Sequence, residues 1–530
     1  MAGARNVEVD VAVVGFGAAG ACAAIEAARA GADVLVIDRF DGGGATALSG
    51  GVVYAGGGTP CQRQAGVTDT PDAMRAYLET EVGDAVSPAT LRRFCDQSTE
   101  LIAWLTACGV PFQGSLCDYK TSYPTNRHYL YHSGSELASA HIAPPAPRGH
   151  RAHGPGTSGR VLFARLAETA RAVGVEVRGQ TRASRLVMES GRVTGLECRT
   201  LTGPPRLAHR LLSRLASKPF LYAPKLGRAL HLLVSAIERR CGKPCRIKAR
   251  SGVVIAAGGF IANRPMLRDH APEYRGGLPL GTAGDDGSGI RLGVEVGAAA
   301  DHLDRVSVWR FLSPPSALLD GVLVDRHGNR LADLARYGAA IGQAVMAAGG
   351  RAWLLVDDRI VAEARRQIRS QTLWFQRLQA WYLLGPARIR GGRTLEQVAA
   401  RAGIAAPADT GSLRPPYSLI DVSVRPRLAY PAPMLTLGGL RVDEDTGAVL
   451  REDGAVIPGL YAAGRSAVGI CSHSYVSGLS LADCVFSGRR AGAHAARRQR
   501  VSIAGSPGPR SGASAGAEPS DSGTQGGHQC

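Results

Sequence analysis

The sequence predicts an α/β protein, and three observations carry that prediction. The chain has 530 residues, 45% apolar and 20% charged, enough for one or two hydrophobic cores and too apolar for global disorder. Its 68 glycines follow no Gly-X-Y period and only 5% of its residues are aromatic, the composition of small-residue helices packed closely on a sheet. Near the N-terminus, VDVAVVGFGAAGACAAIEAARAGADVLVIDRF runs from an apolar strand through a small-residue helix to a second apolar strand.

That first unit holds the strongest motif. Gly15-x-Gly17-x-x-Gly20 opens the helix, with Ala18 and Ala19 between the glycines, and Asp38, followed by Arg39, ends the second strand 23 residues after Gly15. Spacing and β-α-β context are those of dinucleotide binding: a tight turn, backbone approach to a pyrophosphate, close helix-strand packing, and an acid for a ribose hydroxyl. The helix N-terminus then meets the phosphates. A second glycine-dense stretch, DRFDGGGATALSGGVVYAGGGT, contributes Gly44, Ala45, Thr46, Ser49, Gly50 and Gly51 where a nicotinamide enzyme returns to a regular βα unit. Backbone so bare suits the approach of a flat isoalloxazine. Two later strands also end in small residues: KARSGVVIAAGGFIAN supplies Ala257, Gly258 and Gly259, and AVIPGLYAAGRSAVG supplies Gly464 and Arg465.

In this order the blocks resemble the flavoprotein family of fumarate reductases, succinate dehydrogenases and 3-ketosteroid dehydrogenases, over about residues 5–497. The resemblance implies a Rossmann-like FAD-binding domain with an inserted α+β substrate-capping domain. Residues 1–300 are expected to form its first part, with a basic helical insertion at about 203–249. Residues 301–430 form the cap, 431–498 the return segment, and the Ser/Gly/Pro-rich 499–530 a disordered tail. No second dinucleotide motif accompanies the first, so electrons are expected to leave to an unidentified acceptor other than NAD(P)H.

Departures from the family's pattern narrow the reading. Gly44 stands where covalent-flavin members carry a histidine, so the FAD is expected to be noncovalent. Leu435 and Tyr475 stand where dicarboxylate enzymes carry the His and Arg that bind a substrate carboxylate. A carboxylate wants a bidentate cationic fork, whereas a tyrosine hydroxyl suits a neutral ketone. The match thereby moves toward 3-ketosteroid dehydrogenases, in particular the 3-oxo-5α-steroid 4-dehydrogenase type. The resemblance implies that Tyr475 polarises the C3 ketone, helped by a backbone N–H of Gly478, Leu479 or Ser480. Ser477 then takes the proton from the adjacent carbon, Tyr337 relays it outward, and flavin N5 takes a hydride from the next carbon. Ser480 and Leu481 are expected beside the flavin. A 3-ketosteroid 1-dehydrogenase and an ene reductase or dehydrogenase of another cyclic enone share these motifs, and a membrane-surface flavin-binding protein is the non-enzyme alternative.

Charge adds a second theme. Of the net +18, the segment from Arg206 to Arg250 holds +11, and the rest reads as nearly balanced. Arg206, Arg210, Arg214 and Lys218 recur at four-residue intervals, with Leu207, Leu211, Leu212 and Leu215 on another face of the same helix. Such a basic amphipathic helix fits the surface of an anionic membrane, its cations on lipid headgroups. No nucleic-acid recognition motif accompanies it, so nucleic acid is not an expected partner. No apolar run approaches the ~18 residues of a membrane span, and the N-terminus lacks a signal-peptide pattern. The expected location is cytoplasmic, peripheral at the inner face of the membrane. Tyr119, Tyr123, Tyr129 and Tyr131 fall within 13 positions and are expected to wall a pocket for a rigid polycyclic substrate. No metal is expected, because the 11 cysteines and the histidines at 128, 132, 150 and 153 lack ligand spacing.

Overall fold

The computed structural model describes residues 5–222, 224–274, 277–425 and 430–503. Its largest sheet grows from the predicted unit: β1 (Arg5–Val14), α1 (Ala18–Arg29) and β2 (Val34–Ile37), after which the short helix α2 (Gly44–Leu48) carries the second glycine-dense stretch. Strands β3 (Glu176–Arg178), β4 (Thr181–Glu189) and β5 (Arg192–Thr200) follow; then come helices α3 (Gly203–Tyr222) and α4 (Pro224–Cys241), and β6 (Lys243–Ile255). The chain returns much later through β7 (Ala448–Leu450), β8 (Val456–Ala462) and the long α6 (Leu479–Ile503).

The eight strands run β7-β8-β6-β1-β2-β3, with β5 on β6 and β4 on β5. β1 pairs parallel with β2 and with β6, and β6 pairs parallel with β8. Central parallel strands are covered on both faces, which is why Val11–Val14, Val34–Ile37 and Val253–Ile255 are unbroken apolar runs and all buried. The alanines of α1 let α6 lie close against it; both helices bury their small residues in one core with the sheet.

The basic insertion is shorter than predicted. Helix ends at Cys241, and residues 243–249 belong to β6, where Cys245, Ile247 and Ala249 alternate inward with exposed Arg246 and Lys248. Its arginines also have partners in the protein that the helical pattern does not show, although Arg210 and Arg214 keep 48% and 61% of their side chains exposed. Arg206 donates to Gln180, and Arg210 and Arg214 pair with Asp41 at 2.9 and 2.8 Å, because the turn after β2 offers a carboxylate directly beneath them. The side chain of Lys218 lies outside the described residues. Leu207, Leu211 and Leu215 remain 67%, 61% and 57% exposed.

A second core forms between Leu312 and Tyr430. It surrounds a four-stranded antiparallel sheet whose strands, in order across it, are Val322–Val324, Trp353–Asp357, Tyr417–Asp421 and Arg388–Gly392. Asp357 caps the helix Asp358–Gln371 by accepting from the Ile360 N–H at 2.8 Å, and α5 (Trp374–Leu384) follows it. A small sheet of Leu278–Pro279, Pro433–Thr436 and Val306–Val308 lies where the chain enters and leaves this segment. α6 continues through the predicted start of the tail at 499, and residues 504–530 lie outside the described ones. Among the described residues no helix is long and apolar enough to cross a membrane.

Candidate active site

One cavity of about 720 Å³ runs from the β1–α1 turn to the second core, and most of the predicted site lies on its wall. At the β1–α1 turn the glycines are forced by contact. Gly15 has φ +103°, and a Cβ on it would sit 2.4 Å from the Ala256 carbonyl oxygen; a Cβ on Gly20 would sit 1.9 Å from that of Gly15. Gly17 precedes α1 without a side-chain cap, so the first-turn N–H groups are left for a ligand, except that Thr46 Oγ1 accepts from the Ala18 N–H at 3.0 Å. Ala18 and Ala19 line the cavity with Gly15 and Gly17. Asp38 is held in place by three N–H donors, Phe16 at 2.9 Å, Phe40 at 2.7 Å and Gly42 at 3.3 Å; burial nonetheless raises its pKa.

Other predicted cofactor residues divide into wall and backing. Gly44, Ala45, Thr46, Ser49, Gly50, Ala257, Gly258, Arg465, Ser480 and Leu481 reach the cavity; Gly20, Gly51, Gly259 and Gly464 do not. Those four stand where neighbouring chain comes too close for a side chain, Gly51 on the backbone of Ser158 and Gly159 and Gly259 on Thr436, for example. Arg39 edges the cavity, but its guanidinium is committed to Glu238 at 2.8 Å and Asp286 at 3.0 Å, making it a strut to α4. Arg465 donates to Asp285 at 2.6 Å through Nη2, while its Nη1 is buried with no hydrogen-bond partner among the described residues. A cationic donor left idle on the wall, opposite bare backbone, fits the acceptor-rich ring and pyrophosphate of FAD. At Gly44 a Cβ would meet nothing within 4 Å, so the wall there carries neither a side chain nor a group that crowds the space.

The far end of the cavity is aromatic. Tyr475 packs against Trp309 with ring centroids 4.9 Å apart and the rings tilted by 34°, and Tyr337 lies 6.2 Å from Tyr475 and 5.7 Å from Phe311. Ser477 shares this wall, its Oγ 3.2 Å from the Tyr131 hydroxyl. It is also close enough to Tyr337 to pull that phenol's pKa down, against the burial that raises it far more. Burial likewise pushes up Tyr475 and Tyr131, so all three phenols stay protonated near neutral pH and act as donors. Gly478 and Ser480 open α6 on the cavity wall, where the positive end of a long helix dipole points. Leu479 departs from the expectation: its N–H is spent on the Val476 carbonyl at 3.0 Å in the tight turn before the helix, and it does not reach the cavity.

Of the four clustered tyrosines, Tyr123 lines the cavity and donates to the Gly50 carbonyl at 2.8 Å, and Tyr131 reaches Ser477. Tyr129 instead stacks on the Arg151 guanidinium, and Tyr119 packs edge-on to His128. In the sequence Tyr131 reads only as one of four pocket-wall tyrosines, without its link to Ser477, and nothing in VSVWRF marks Trp309 or Phe311. His150 is buried between Thr59 and the Arg148 carbonyl, and burial lowers its pKa to about 4. Among the described residues no three His, Cys, Asp or Glu side chains gather as a metal site would.

Comparison with known proteins gives the family. The model of the family described as "FAD binding domain" matches residues 10–478. The chain is 38% identical to a 3-oxo-5-alpha-steroid 4-dehydrogenase of Comamonas testosteroni, over 86% of this chain and 92% of that one. It is 26% identical to a 3-oxosteroid 1-dehydrogenase of Mycobacterium tuberculosis, over 88% and 94% of the two chains. The crystal structure of a 3-ketosteroid-delta4-(5alpha)-dehydrogenase from Rhodococcus jostii RHA1, in complex with 4-androstene-3,17-dione, superposes with a TM-score of 0.77 at 31% identity, covering 94% of this chain and 98% of that one. The chain belongs to the FAD-binding-domain family, and FAD is its cofactor.

Proposed function

We propose that this protein is an FAD-dependent 3-ketosteroid dehydrogenase that introduces a C=C bond next to the ketone, forming the 4-ene of a 3-oxo-5α-steroid. The observation that carries the proposal is the wall of neutral hydroxyls, Tyr475, Ser477 and Tyr337, in the same cavity as the dinucleotide cradle, with the buried Tyr131 hydroxyl behind Ser477. Such a wall suits a neutral ketone flanked by aromatic surface and not a dicarboxylate. The named activity of the 38% identical relative supports the same choice.

The substrate loses a proton from the carbon beside the ketone and a hydride from the next carbon. FAD, when bound, supplies the two-electron acceptor for the hydride. Tyr475 donates a hydrogen bond to the ketone oxygen, and the N–H groups of Gly478 and Ser480 at the start of α6 add to it, so negative charge developing on that oxygen is stabilised. Ser477 is a weak base alone. It serves here because each hydroxyl in its chain accepts a proton as it hands on its own, through Tyr131 at 3.2 Å or through Tyr337. Trp309 and Phe311 supply flat walls for fused rings. In this reading residues 301–430 cap the substrate, the FAD is noncovalent, and the electrons leave to an acceptor other than a nicotinamide. The reading includes peripheral attachment at the inner face of an anionic membrane, supported by the exposed leucines of α3.

The test is anaerobic titration of the purified enzyme with a 5α-reduced 3-ketosteroid. Bleaching of the flavin with formation of the 4-ene supports the proposal. A 1-ene product moves it to the 1-dehydrogenase reading, and bleaching only by non-steroid enones moves it to the broader alternative.

A further inference from the structure

Helix α5, beside the aromatic end of the cavity, has two faces of opposite use. Phe375, Gln376 and Gln379 line the cavity; Gln376 donates to the Tyr123 carbonyl at 3.0 Å and Gln379 to the Phe311 carbonyl at 2.9 Å, which fixes that face inward. Trp374, Leu378 and Trp381, spaced as one stripe, are 71%, 57% and 59% exposed. Large aromatics on a solvent face are costly unless something covers them. Of the chain's five tryptophans, Trp104 and Trp353 are buried and Trp309 is inside the cavity, so the exposed pair is concentrated on this one helix.

The charge around them narrows what covers them. From Arg365 to Arg393 the sequence has seven arginines and no acidic residue; Arg366 pairs with Glu363 and Arg388 with Asp358, acids just outside that stretch. Arg365 and Arg369, on the helix just before α5, are exposed. Indole rings favour the headgroup boundary of a bilayer, and a cationic surround favours anionic lipid.

We propose that α5 is an entry helix that inserts its Trp374, Leu378 and Trp381 face into the headgroup region of an anionic bilayer, so that a lipophilic substrate passes from the membrane into the cavity its other face lines. This rests on the lipophilic substrate of the proposed function, but the two fail separately. Bleaching by a steroid without lipid insertion removes the entry helix alone; insertion without bleaching removes the steroid alone.

The experiment uses the holoenzyme and vesicles carrying brominated acyl chains, either zwitterionic or containing phosphatidylglycerol. Insertion predicts that tryptophan emission falls by about a third with the anionic vesicles, and that high salt abolishes the fall. Trp374→Ser with Trp381→Ser should weaken partitioning onto anionic vesicles about tenfold or more, while kcat on a water-soluble ketone stays within about twofold. A Leu211→Asp, Leu232→Asp variant probes the exposed leucines of α3 and α4 separately. Absent quenching in the parent overturns the proposal, as does equal partitioning of parent and tryptophan variant. Concentration-dependent dimerisation lost in that variant would assign the face to a second copy and also overturn it.

Discussion

Replacing Tyr475 by Phe isolates one hydroxyl. The ring keeps its contact with Trp309 at 4.9 Å and its place beside Tyr337, so the cavity loses one donor and almost no volume. Burial raises the pKa of this phenol, and it therefore enters the reaction protonated. Toward a neutral ground-state ketone, one such hydrogen bond contributes about 0.5–1.5 kcal/mol, and KM should rise less than about tenfold. As the α-proton leaves, charge grows on the ketone oxygen in a dry cavity, and the same donor becomes worth about 2.7–4 kcal/mol, or roughly 10²–10³ in kcat. The assay is steady-state turnover of a 3-ketosteroid with an artificial electron acceptor, with flavin content measured by absorbance. Full flavin content with a kcat lower by two to three orders of magnitude is the expected result. A kcat within about twofold of the parent would remove Tyr475 from the chemistry, and equal loss in kcat and flavin would make it a cofactor-packing residue.

Ser477→Ala should lower kcat about as far as Tyr475→Phe, whereas Tyr131→Phe should cost only about tenfold if Tyr337 offers a parallel route; equal and severe losses in Tyr131→Phe would make Tyr131 the sole relay. Acid precipitation should release all the flavin into the supernatant, and yellow colour kept by the pellet would contradict noncovalent FAD. Asp483, buried in α6, has its carboxyl pushed up to about 6, first by burial, with Arg490 and two backbone N–H groups opposing. The native state thus holds this proton more tightly than the unfolded chain, so the contribution is present below about pH 4 and is lost as pH rises through about 6. Asp483→Asn cannot ionise, and denaturant titrations should show parent stability falling relative to the variant by up to about 3 kcal/mol across that window. Parallel pH profiles would show that Asp483 does not titrate there.

What was legible in the sequence follows the range over which each force acts. The cradle from Gly15 to Asp38 is a local βαβ unit, so spacing alone located it, and the Arg-to-Tyr departure at Tyr475 pointed to the aromatic wall because it lies in the loop before α6. The Tyr131–Ser477 contact joins residues 346 positions apart, and no local pattern announces it. Helical period showed which arginines of α3 share a face; it did not show which way that face turns. Nor did it show that Asp41, a carboxylate of the distant turn after β2, pairs with Arg210 and Arg214. Glycines at 20, 51, 259 and 464 were grouped with the ligand glycines because close approach to protein backbone and close approach to a cofactor ask for the same residue. The tryptophans of α5 carry no signal in the sequence for a related reason: exposure is a property of packing, and a Trp in an amphipathic helix reads as core until its neighbours are placed.

The most direct test of the central claim is product identification after a single anaerobic turnover of the stoichiometric enzyme with a 5α-reduced 3-ketosteroid. The account predicts one equivalent of bleached flavin and one equivalent of the 4-ene-3-ketone. An intact flavin spectrum and unchanged steroid, in enzyme whose FAD is bleached by dithionite, would contradict it.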